Sequence, residues 1–277
     1  MIIVTRLLIL CCLTLSYWGF GGIPGISPAI HAKVLALTVE RPIALDLSWG
    51  LTDAPTAGLS SPYGYRDRPS SDGIGKTYMG REIAQVMGYP GAAWLERPSR
   101  MQSEKPHLLI ANLDIQARDV IADIGAGTGY LSVRLAAQVP DGQVLAVDVQ
   151  PEMIALLRQR IEAQQLDNIE PILALDGDPQ LPEGSIDMAI MVDVYHELAY
   201  PYEVMRKVVR ALRPGGKVVL VEYRGENPLI PIKRLHKMTE RQVRREMAAV
   251  GLTWVTTNED LPKQHIIVFT KKDSVAG

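Results

Sequence analysis

The sequence predicts an α/β domain with a mostly parallel sheet, preceded by a long N-terminal extension. From about residue 78, helical segments alternate with short runs rich in Val, Ile and Leu, a pattern typical of parallel sheets with helices on both faces. The last two predicted strands are joined by a segment without helical periodicity, which favours a hairpin and an antiparallel strand at the sheet edge. The length of 277 residues, 47% of them hydrophobic, fits one domain with appendages or two small domains.

Strands are predicted over residues 120–124, 143–147, 169–175, 186–192, 217–222, 253–256 and 265–270. Helices between them are predicted over 129–139, from Pro151 to 161, over 202–212, and from the capping box of Thr239 and Gln242 to Gly251, because apolar residues recur there at helical spacing. Before the first strand, helices over 79–86 and 106–113 predict a helical lid over 77–115.

The N-terminal 76 residues read as two segments outside this domain. Residues 1–32 combine Arg6 with an apolar run from Leu7 to Leu15 and a site for cleavage after Ala32, as in a signal peptide. An uncleaved membrane anchor is the alternative. Residues 33–76 are rich in Pro and Gly, which predicts a flexible linker.

Charge and cysteine usage exclude several classes of protein. With 29 Lys and Arg against 31 Asp and Glu, the net charge is -2, so no nucleic-acid partner is expected. The only cysteines, Cys11 and Cys12, are adjacent in the N-terminal apolar run. No disulfide framework or catalytic thiol follows from them, and no metal site is predicted.

The most informative stretch is the first predicted strand and the turn after it. Gly125, Gly127 and Gly129 follow the strand directly, and such glycines let the backbone approach a ligand at the carboxyl edge of a parallel sheet. Asp148 ends the second strand, where a carboxylate can accept both hydroxyls of a ribose. The alternative is that the glycines serve only a tight turn and that Asp148 caps a helix.

The position of Asp123 distinguishes between a dinucleotide and a cofactor without phosphate groups. A carboxylate just before the glycine turn repels a pyrophosphate but attracts an ammonium group. S-adenosylmethionine offers a ribose, an adenine, an ammonium group and a sulfonium cation. A nicotinamide oxidoreductase is therefore disfavoured.

The chain resembles class I S-adenosylmethionine-dependent methyltransferases, in particular the group that contains the ubiquinone/menaquinone-biosynthesis enzymes. The match runs in order over roughly 115–270, through Asp123–Gly129, Val147–Asp148, Ser185–Asp187 and Leu212–Lys217. The resemblance implies a Rossmann-like, seven-stranded sheet of order 3-2-1-4-5-7-6 with strand seven antiparallel.

The resemblance also implies roles for single residues. By position, Asp123 and Gly125 would contact the methionyl part of the cofactor, and Asp148 would bind the ribose. Asp176 or Asp178 would bind the adenine. Met153, which is otherwise expected in the core, would make an apolar contact with the adenine. Segments before the first strand often select the substrate in this group, and Tyr78, Arg81, Trp94, Arg97 and Arg100 are the candidates here.

The acceptor end is predicted after the fourth strand, at Asp193 and His196. Methyl transfer is a displacement at an already activated carbon, so the protein mainly positions the nucleophile and removes its proton. His196 is the base candidate, and Asp193 is expected to orient it or to touch the cofactor. The alternative is a structural histidine that caps the next helix or hydrogen-bonds the backbone.

These features predict a methyltransferase acting at oxygen or carbon of a small or lipid-soluble acceptor, since the motif of amide and nucleobase N-methyltransferases is missing. The competing hypothesis is a non-catalytic S-adenosylmethionine- or nucleoside-binding protein of the same fold, acting outside the cytosol. The export signal favours the second hypothesis, because S-adenosylmethionine is kept in the cytosol. A membrane-associated enzyme, with its domain on the cytoplasmic face if the segment is uncleaved, reconciles the two. The basic run 233–237 is expected on a solvated face or against an anionic substrate or headgroup.

Overall fold

The computed structural model describes residues 61–271. The predicted signal or anchor over 1–32 and residues 33–60 of the predicted linker lie outside the described residues. Within 61–271, no helix combines the length and the apolar character needed to cross a bilayer.

A seven-stranded sheet forms the centre of the domain. Its strands are β4 (Val120–Ile124), β5 (Gln143–Asp148), β6 (Ile169–Leu173), β7 (Ile186–Val192), β8 (Leu212–Tyr223), β9 (Leu252–Asn258) and β10 (Gln264–Lys271). Their order is β6-β5-β4-β7-β8-β10-β9, which is the predicted 3-2-1-4-5-7-6. The β9–β10 hairpin forms one edge, and β10 runs antiparallel to both β8 and β9, which confirms the predicted topology.

Helices cover both faces of this sheet. They are α1 (Ala92–Leu95), α2 (Arg100–Ser103), α3 (Pro106–Ala111), α4 (Ser132–Ala136), α5 (Pro151–Gln164), α6 (Pro201–Ala211) and α7 (Glu240–Ala249). Leu109, Leu135 and Leu157 of α3, α4 and α5 pack on one face, while Val208 and Val243 of α6 and α7 pack on the other. Burying each such side chain contributes about 1.5–3 kcal/mol. With both faces covered, the carboxyl edge of the parallel strands is left for ligands.

The starts of the longer helices follow the local signals in the sequence. Pro151 and Pro201 occupy first-turn positions, where the missing N–H of proline costs nothing. Thr239 caps α7 by accepting a hydrogen bond from the backbone N–H of Gln242 at 3.2 Å, as the capping box predicts.

A second, three-stranded antiparallel sheet precedes the domain core. This N-terminal sheet consists of β1 (Tyr63–Tyr65), β2 (Gly73–Tyr78) and β3 (Arg81–Ala84). The linker prediction is therefore wrong for β1 and β2, and the helix predicted over 79–86 is wrong as well. Met79 and Gly80 have φ of 48° and 85°, and such a two-residue turn with positive φ at both positions closes a tight hairpin. The predicted helix over 106–113 is confirmed as α3.

The N-terminal sheet is fastened to the start of α6. The Lys76 ammonium lies 3.9 Å from the ring centre of Tyr63 and 3.6 Å from that of Tyr200. It also donates a hydrogen bond to the carbonyl of Ala199 at 2.7 Å. A cation between two aromatic faces contributes about 0.5–2 kcal/mol, so this lysine ties β2 to the loop that precedes α6.

Candidate active site

The turn after β4 requires glycine at two positions. Gly125 and Gly129 have φ of 76° and 79°, a region that residues with a Cβ rarely adopt. A Cβ on Gly125 would lie 2.4 Å from Val194, and one on Gly129 would lie 2.4 Å from Leu157. The turn therefore lies directly against the segment after β7 and against α5.

Asp148 holds this turn from the end of β5. The backbone N–H of Gly127 donates to Asp148 Oδ2 at 2.8 Å, and that of Gln150 donates to Oδ1 at 2.9 Å. The carboxylate is buried, and burial raises its pKa. Each carboxylate oxygen has a second lone pair, so the structural role of Asp148 is compatible with accepting two ribose hydroxyls.

Asp123 is a fully buried carboxylate at the end of β4. Ser132 donates a hydrogen bond to its Oδ2 at 2.6 Å. Burial raises the pKa of Asp123 to about 6, although the Ser132 hydrogen bond and the positive charge of Arg100 act in the opposite direction. Such a desolvated anion attracts a cationic ligand group.

One cavity of about 730 Å³ joins these residues at the carboxyl edge of the sheet. Its volume lies in the upper part of the range of about 300–1,000 Å³ typical of small-molecule sites. The predicted cofactor residues that line it are Asp123, Gly125, Gly127, Asp148, Met153 and Asp176. Gly129 and Asp178 do not line it.

The cavity separates the two aspartates that the sequence left as alternatives. Asp176 lines the cavity. Asp178 instead accepts hydrogen bonds from the backbone N–H of Gln180 and from the ammonium of Lys207, both at 2.9 Å. Asp176 is therefore the residue placed to meet a ligand.

The predicted lid contributes part of the cavity wall. Trp94 and Arg100 line the cavity, whereas Tyr78, Arg81 and Arg97 do not. Met87, which carries no functional signal in the sequence, also lines the cavity. Its N–H donates to Glu197 Oε2 at 3.1 Å, and its carbonyl accepts from Gln150 Nε2 at 3.0 Å.

A cluster of imidazole and carboxylate groups lines the same cavity. His196 Nδ1 lies 2.5 Å from Glu222 Oε2, and His196 Nε2 lies 3.1 Å from His236 Nδ1. Glu197 Oε1 lies 3.2 Å from His236 Nδ1 and 3.7 Å from His196 Nε2. His196, Glu197 and His236 all line the cavity.

This environment argues against the predicted role of His196 as a general base. Burial acts to lower the pKa of His196, but the charge of Glu222 and the hydrogen bonds to Glu197 and Glu222 outweigh it and raise the pKa to about 10. A protonated imidazole has no lone pair with which to accept a proton. The structural alternative also differs from the structure. His196 lies in a 3-10 turn, Tyr195–Glu197, and its ring nitrogens contact the side chains of Glu222 and His236 rather than a helix end or the backbone.

Asp193 does not orient His196. Its Oδ2 accepts a hydrogen bond from Gln264 Nε2 at 2.7 Å, and the orienting carboxylate of His196 is Glu222. Asp193 Oδ1 has no hydrogen-bond partner among the described residues. Burial and the nearby charges of Glu104 and Glu222 raise the pKa of Asp193 well above its usual range. Asp193 thus brings to the cavity a buried carboxyl group of high proton affinity.

Arg81 contacts both α7 and the 3-10 turn that contains His196. Its guanidinium makes two hydrogen bonds to Glu246 on α7, at 2.9 and 3.0 Å. A third donor reaches the carbonyl of His196 at 3.1 Å. Arg81, expected in the lid, is therefore a positioning residue that connects the N-terminal sheet, α7 and the acceptor end.

Comparisons with known proteins agree with this arrangement. A family model described as a methyltransferase domain matches residues 122–218. An uncharacterized methyltransferase-like protein of Schizosaccharomyces pombe is 28% identical over 50% of this chain and 52% of its own length. A ubiquinone/menaquinone biosynthesis C-methyltransferase of Pseudomonas putida is 26% identical over 58% of this chain and 63% of its own length.

Among solved structures, a S-adenosylmethionine-dependent methyltransferase of Aquifex aeolicus superposes with a TM-score of 0.63. It is 20% identical, with 67% of this chain and 99% of that one covered. The family-model match and the fold support a class I S-adenosylmethionine-dependent methyltransferase domain in this chain. The cofactor of this family is S-adenosylmethionine. The chain spans about half or less of the length of the first curated relatives it matches.

Three residues of the cluster around His196 were not predicted from the sequence. Glu222 follows a run of apolar strand residues, and a lone acid in such a run is a usable signal, because a buried charge needs a partner. His236 lies in the basic run 233–237, but it lines the cavity and its side chain is only about one-fifth exposed. Glu197 is adjacent to His196, and no pattern in the sequence distinguishes it from neighbouring acids.

Proposed function

We propose that this methyltransferase transfers the methyl group of S-adenosylmethionine to oxygen or carbon of a small or lipid-like acceptor. The observation that carries the proposal is the shared cavity. Residues of the cofactor motif and residues of the His196 cluster line the same cavity. A donor and an acceptor bound in one cavity can react directly, because the cavity holds both in a productive orientation.

In this proposal the cofactor lies along the carboxyl ends of β4, β5 and β6. Asp123 supplies the counter-charge for the methionyl ammonium, and Arg100, which also lines the cavity, faces the methionyl carboxylate. Asp148 accepts the ribose hydroxyls. Asp176 accepts the exocyclic amine of the adenine, and the buried Met153 packs against the ring.

The chemical step is an in-line displacement. A lone pair or carbanion of the acceptor forms a bond to the methyl carbon, the carbon–sulfur bond breaks, and S-adenosylhomocysteine leaves. Asp193 is the candidate for receiving the acceptor's proton. The positive charge of the bound sulfonium lowers the pKa of a nearby carboxyl group, so cofactor binding converts Asp193 to the ionised form that accepts a proton.

The character of the cavity supports an acceptor with a large apolar part. Its wall includes Val86, Leu95, Val194, Leu198 and Ile232, and such walls bind ligands mainly by burying apolar surface. The relative from Pseudomonas putida is named for a quinone pathway. A quinone-like acceptor in the membrane also fits the predicted N-terminal signal or anchor.

A second candidate function is binding without catalysis, as a S-adenosylmethionine- or nucleoside-binding protein outside the cytosol. The predicted export signal favours it, because an exported domain would be separated from its donor. The two candidates share cofactor binding and differ in turnover.

Calorimetric titration of the full-length chain with S-adenosylmethionine, S-adenosylhomocysteine and NAD tests the cofactor assignment. We expect micromolar binding of the first two and no binding of NAD. A screen of phenols, quinols and lipid-like hydroxyl compounds, read out as release of S-adenosylhomocysteine, then tests catalysis. Binding without release in the presence of any acceptor would favour the second candidate, and a folded chain that binds neither sulfur nucleoside contradicts both.

A further inference from the structure

The three side chains at the acceptor end have the geometry of a metal site. The ligand atoms His196 Nε2, His236 Nδ1 and Glu197 Oε1 are 3.1, 3.2 and 3.7 Å apart. In a tetrahedral site with bonds of about 2.0–2.1 Å, neighbouring ligand atoms are about 3.3–3.4 Å apart. The three measured separations lie around this value, so one ion can reach all three atoms with little movement of the side chains.

Other groups engage the second polar atom of His196 and that of Glu197, which leaves His196 Nε2 and Glu197 Oε1 beside His236 Nδ1. Glu222 is fully buried and accepts at 2.5 Å from His196 Nδ1. This contact holds a proton on Nδ1, as in the carboxylate–histidine pairs that support metal ligands, and an ion that binds at Nε2 displaces the second ring proton. The N–H of Met87 engages Glu197 Oε2, which leaves Oε1 for the centre of the cluster.

The charges also fit a divalent cation. Glu222 is fully buried and Glu197 is about 13% exposed, so two carboxylates lie in or near the protein interior beside the ligand atoms. Uncompensated buried charges are costly. One divalent ion among the three ligand atoms neutralises both carboxylates.

We propose that His196, Glu197 and His236 bind one divalent transition-metal ion, with Glu222 orienting His196. Two imidazoles and one carboxylate suit Zn²⁺, Co²⁺, Ni²⁺ or Fe²⁺, whereas Mg²⁺ and Ca²⁺ prefer sites built from oxygen ligands. The chain supplies three ligands, and all three residues line the cavity. The fourth position therefore opens toward the acceptor, as in catalytic metal sites.

The consequence for the acceptor rests on the proposed function. An ion at this position binds an oxygen of the acceptor and lowers the pKa of its hydroxyl group, as metal ions do for bound water. This favours acceptors with a phenol, enol or similar hydroxyl. His196 then acts on the acceptor through the metal and not as a base.

The site is tested by titrating the full-length, chelator-treated chain with Zn²⁺, Co²⁺ and Mg²⁺ in a calorimeter, without any nucleoside. We expect one Zn²⁺ or Co²⁺ per chain and no binding of Mg²⁺. The substitutions His236→Ala and Glu197→Gln should each weaken Zn²⁺ binding by at least about 100-fold, since each removes a ligand. Glu222→Gln should weaken it by about 10–100-fold, the range for residues that support a ligand.

His107→Ala is the matched control, because His107 is exposed on α3 and outside the cavity. It should bind Zn²⁺ as the wild type does. Thermal unfolding without metal checks that each variant is folded, and His236, about one-fifth exposed, tolerates truncation better than the buried His196.

Unchanged Zn²⁺ affinity in folded His236→Ala overturns the proposal, as does the lack of stoichiometric binding by the wild type. If the variants of the ligand residues fail to fold, the visible absorption spectrum of the Co²⁺-loaded wild type tests the site instead. Intense bands of a four- or five-coordinate ion support the site, and the weak bands of a six-coordinate ion contradict it. Metal binding without S-adenosylmethionine binding would leave the site standing and refute the proposed function.

Discussion

Asp123 should make the free protein less stable at neutral pH, and Asp123→Asn should relieve this cost. The pKa of the buried carboxyl is about 6, against an ordinary 3.8. At roughly 1.4 kcal/mol per pH unit, the difference corresponds to about 3 kcal/mol. Because the folded state binds the proton more tightly than the unfolded state, this contribution reduces stability as pH rises from about 4 to about 6.

The assay is urea unfolding of wild type and Asp123→Asn, without ligand, at pH 7 and at pH 4.5. At pH 7 the variant should be more stable by up to about 3 kcal/mol, and most of the difference should vanish at pH 4.5. The asparagine still accepts the hydrogen bond of Ser132, so little else changes. Affinity for S-adenosylmethionine should fall in the same variant, because the methionyl ammonium loses its counter-charge.

Asp114→Asn is the control, since Asp114 is an exposed carboxylate paired with Lys217. That pairing holds the pKa of Asp114 below its usual range, so its substitution should not stabilise the protein at pH 7. Asp123→Asn that is less stable than wild type at pH 7, or equally different from it at both pH values, would refute the electrostatic reasoning.

Three further predictions follow from the site. Asp176→Asn should weaken S-adenosylmethionine binding by roughly 10- to 150-fold, because a hydrogen bond to a charged group contributes about 1.5–3 kcal/mol. Asp178→Asn should leave the affinity measured by calorimetry unchanged. Equal effects of the two substitutions would contradict the placement. Gly129→Ala should lower the free energy of unfolding by about 1–3 kcal/mol, because of the positive φ and the contact with Leu157, and an unchanged urea midpoint would show that the turn relaxes. Asp193→Asn should lower kcat by about 10²- to 10⁴-fold with the cofactor Kd nearly unchanged, and a matching loss of affinity would point to a cofactor contact instead.

Most of the sheet was predictable because its signals are local. The strands are short apolar runs between marked helix starts, and the glycine turn with Asp123 and Asp148 fixes which strands are adjacent at the cofactor end. The prediction of a helix over 79–86 failed because positive φ at Met79 and Gly80 turns the chain back on itself. In the sequence, a two-residue hairpin turn of this kind is marked only by a single glycine.

The acceptor end was less predictable because its groups come from distant parts of the chain. His196 and His236 are 40 residues apart, and no spacing rule connects them. Asp176 and Asp178 are equally good candidates in the sequence, and they differ only in the folded chain, where Asp176 lines the cavity and Asp178 contacts Gln180 and Lys207. Asp193 and Glu222 are both acids near strand ends, so the sequence could not show which of them contacts His196.

The backbone of Met87 forms hydrogen bonds with two side chains that line the cavity. One is Gln150, two residues after Asp148, and the other is Glu197, in the cluster with His196 and His236. Both contacts use main-chain atoms, so they survive exchange of the Met87 side chain. Variation in this segment and in the segment that carries His236 can thus reshape the acceptor pocket while β4 and β5 keep the cofactor motif. Libraries that randomise the wall residues of these two segments offer a direct route to new acceptor preferences.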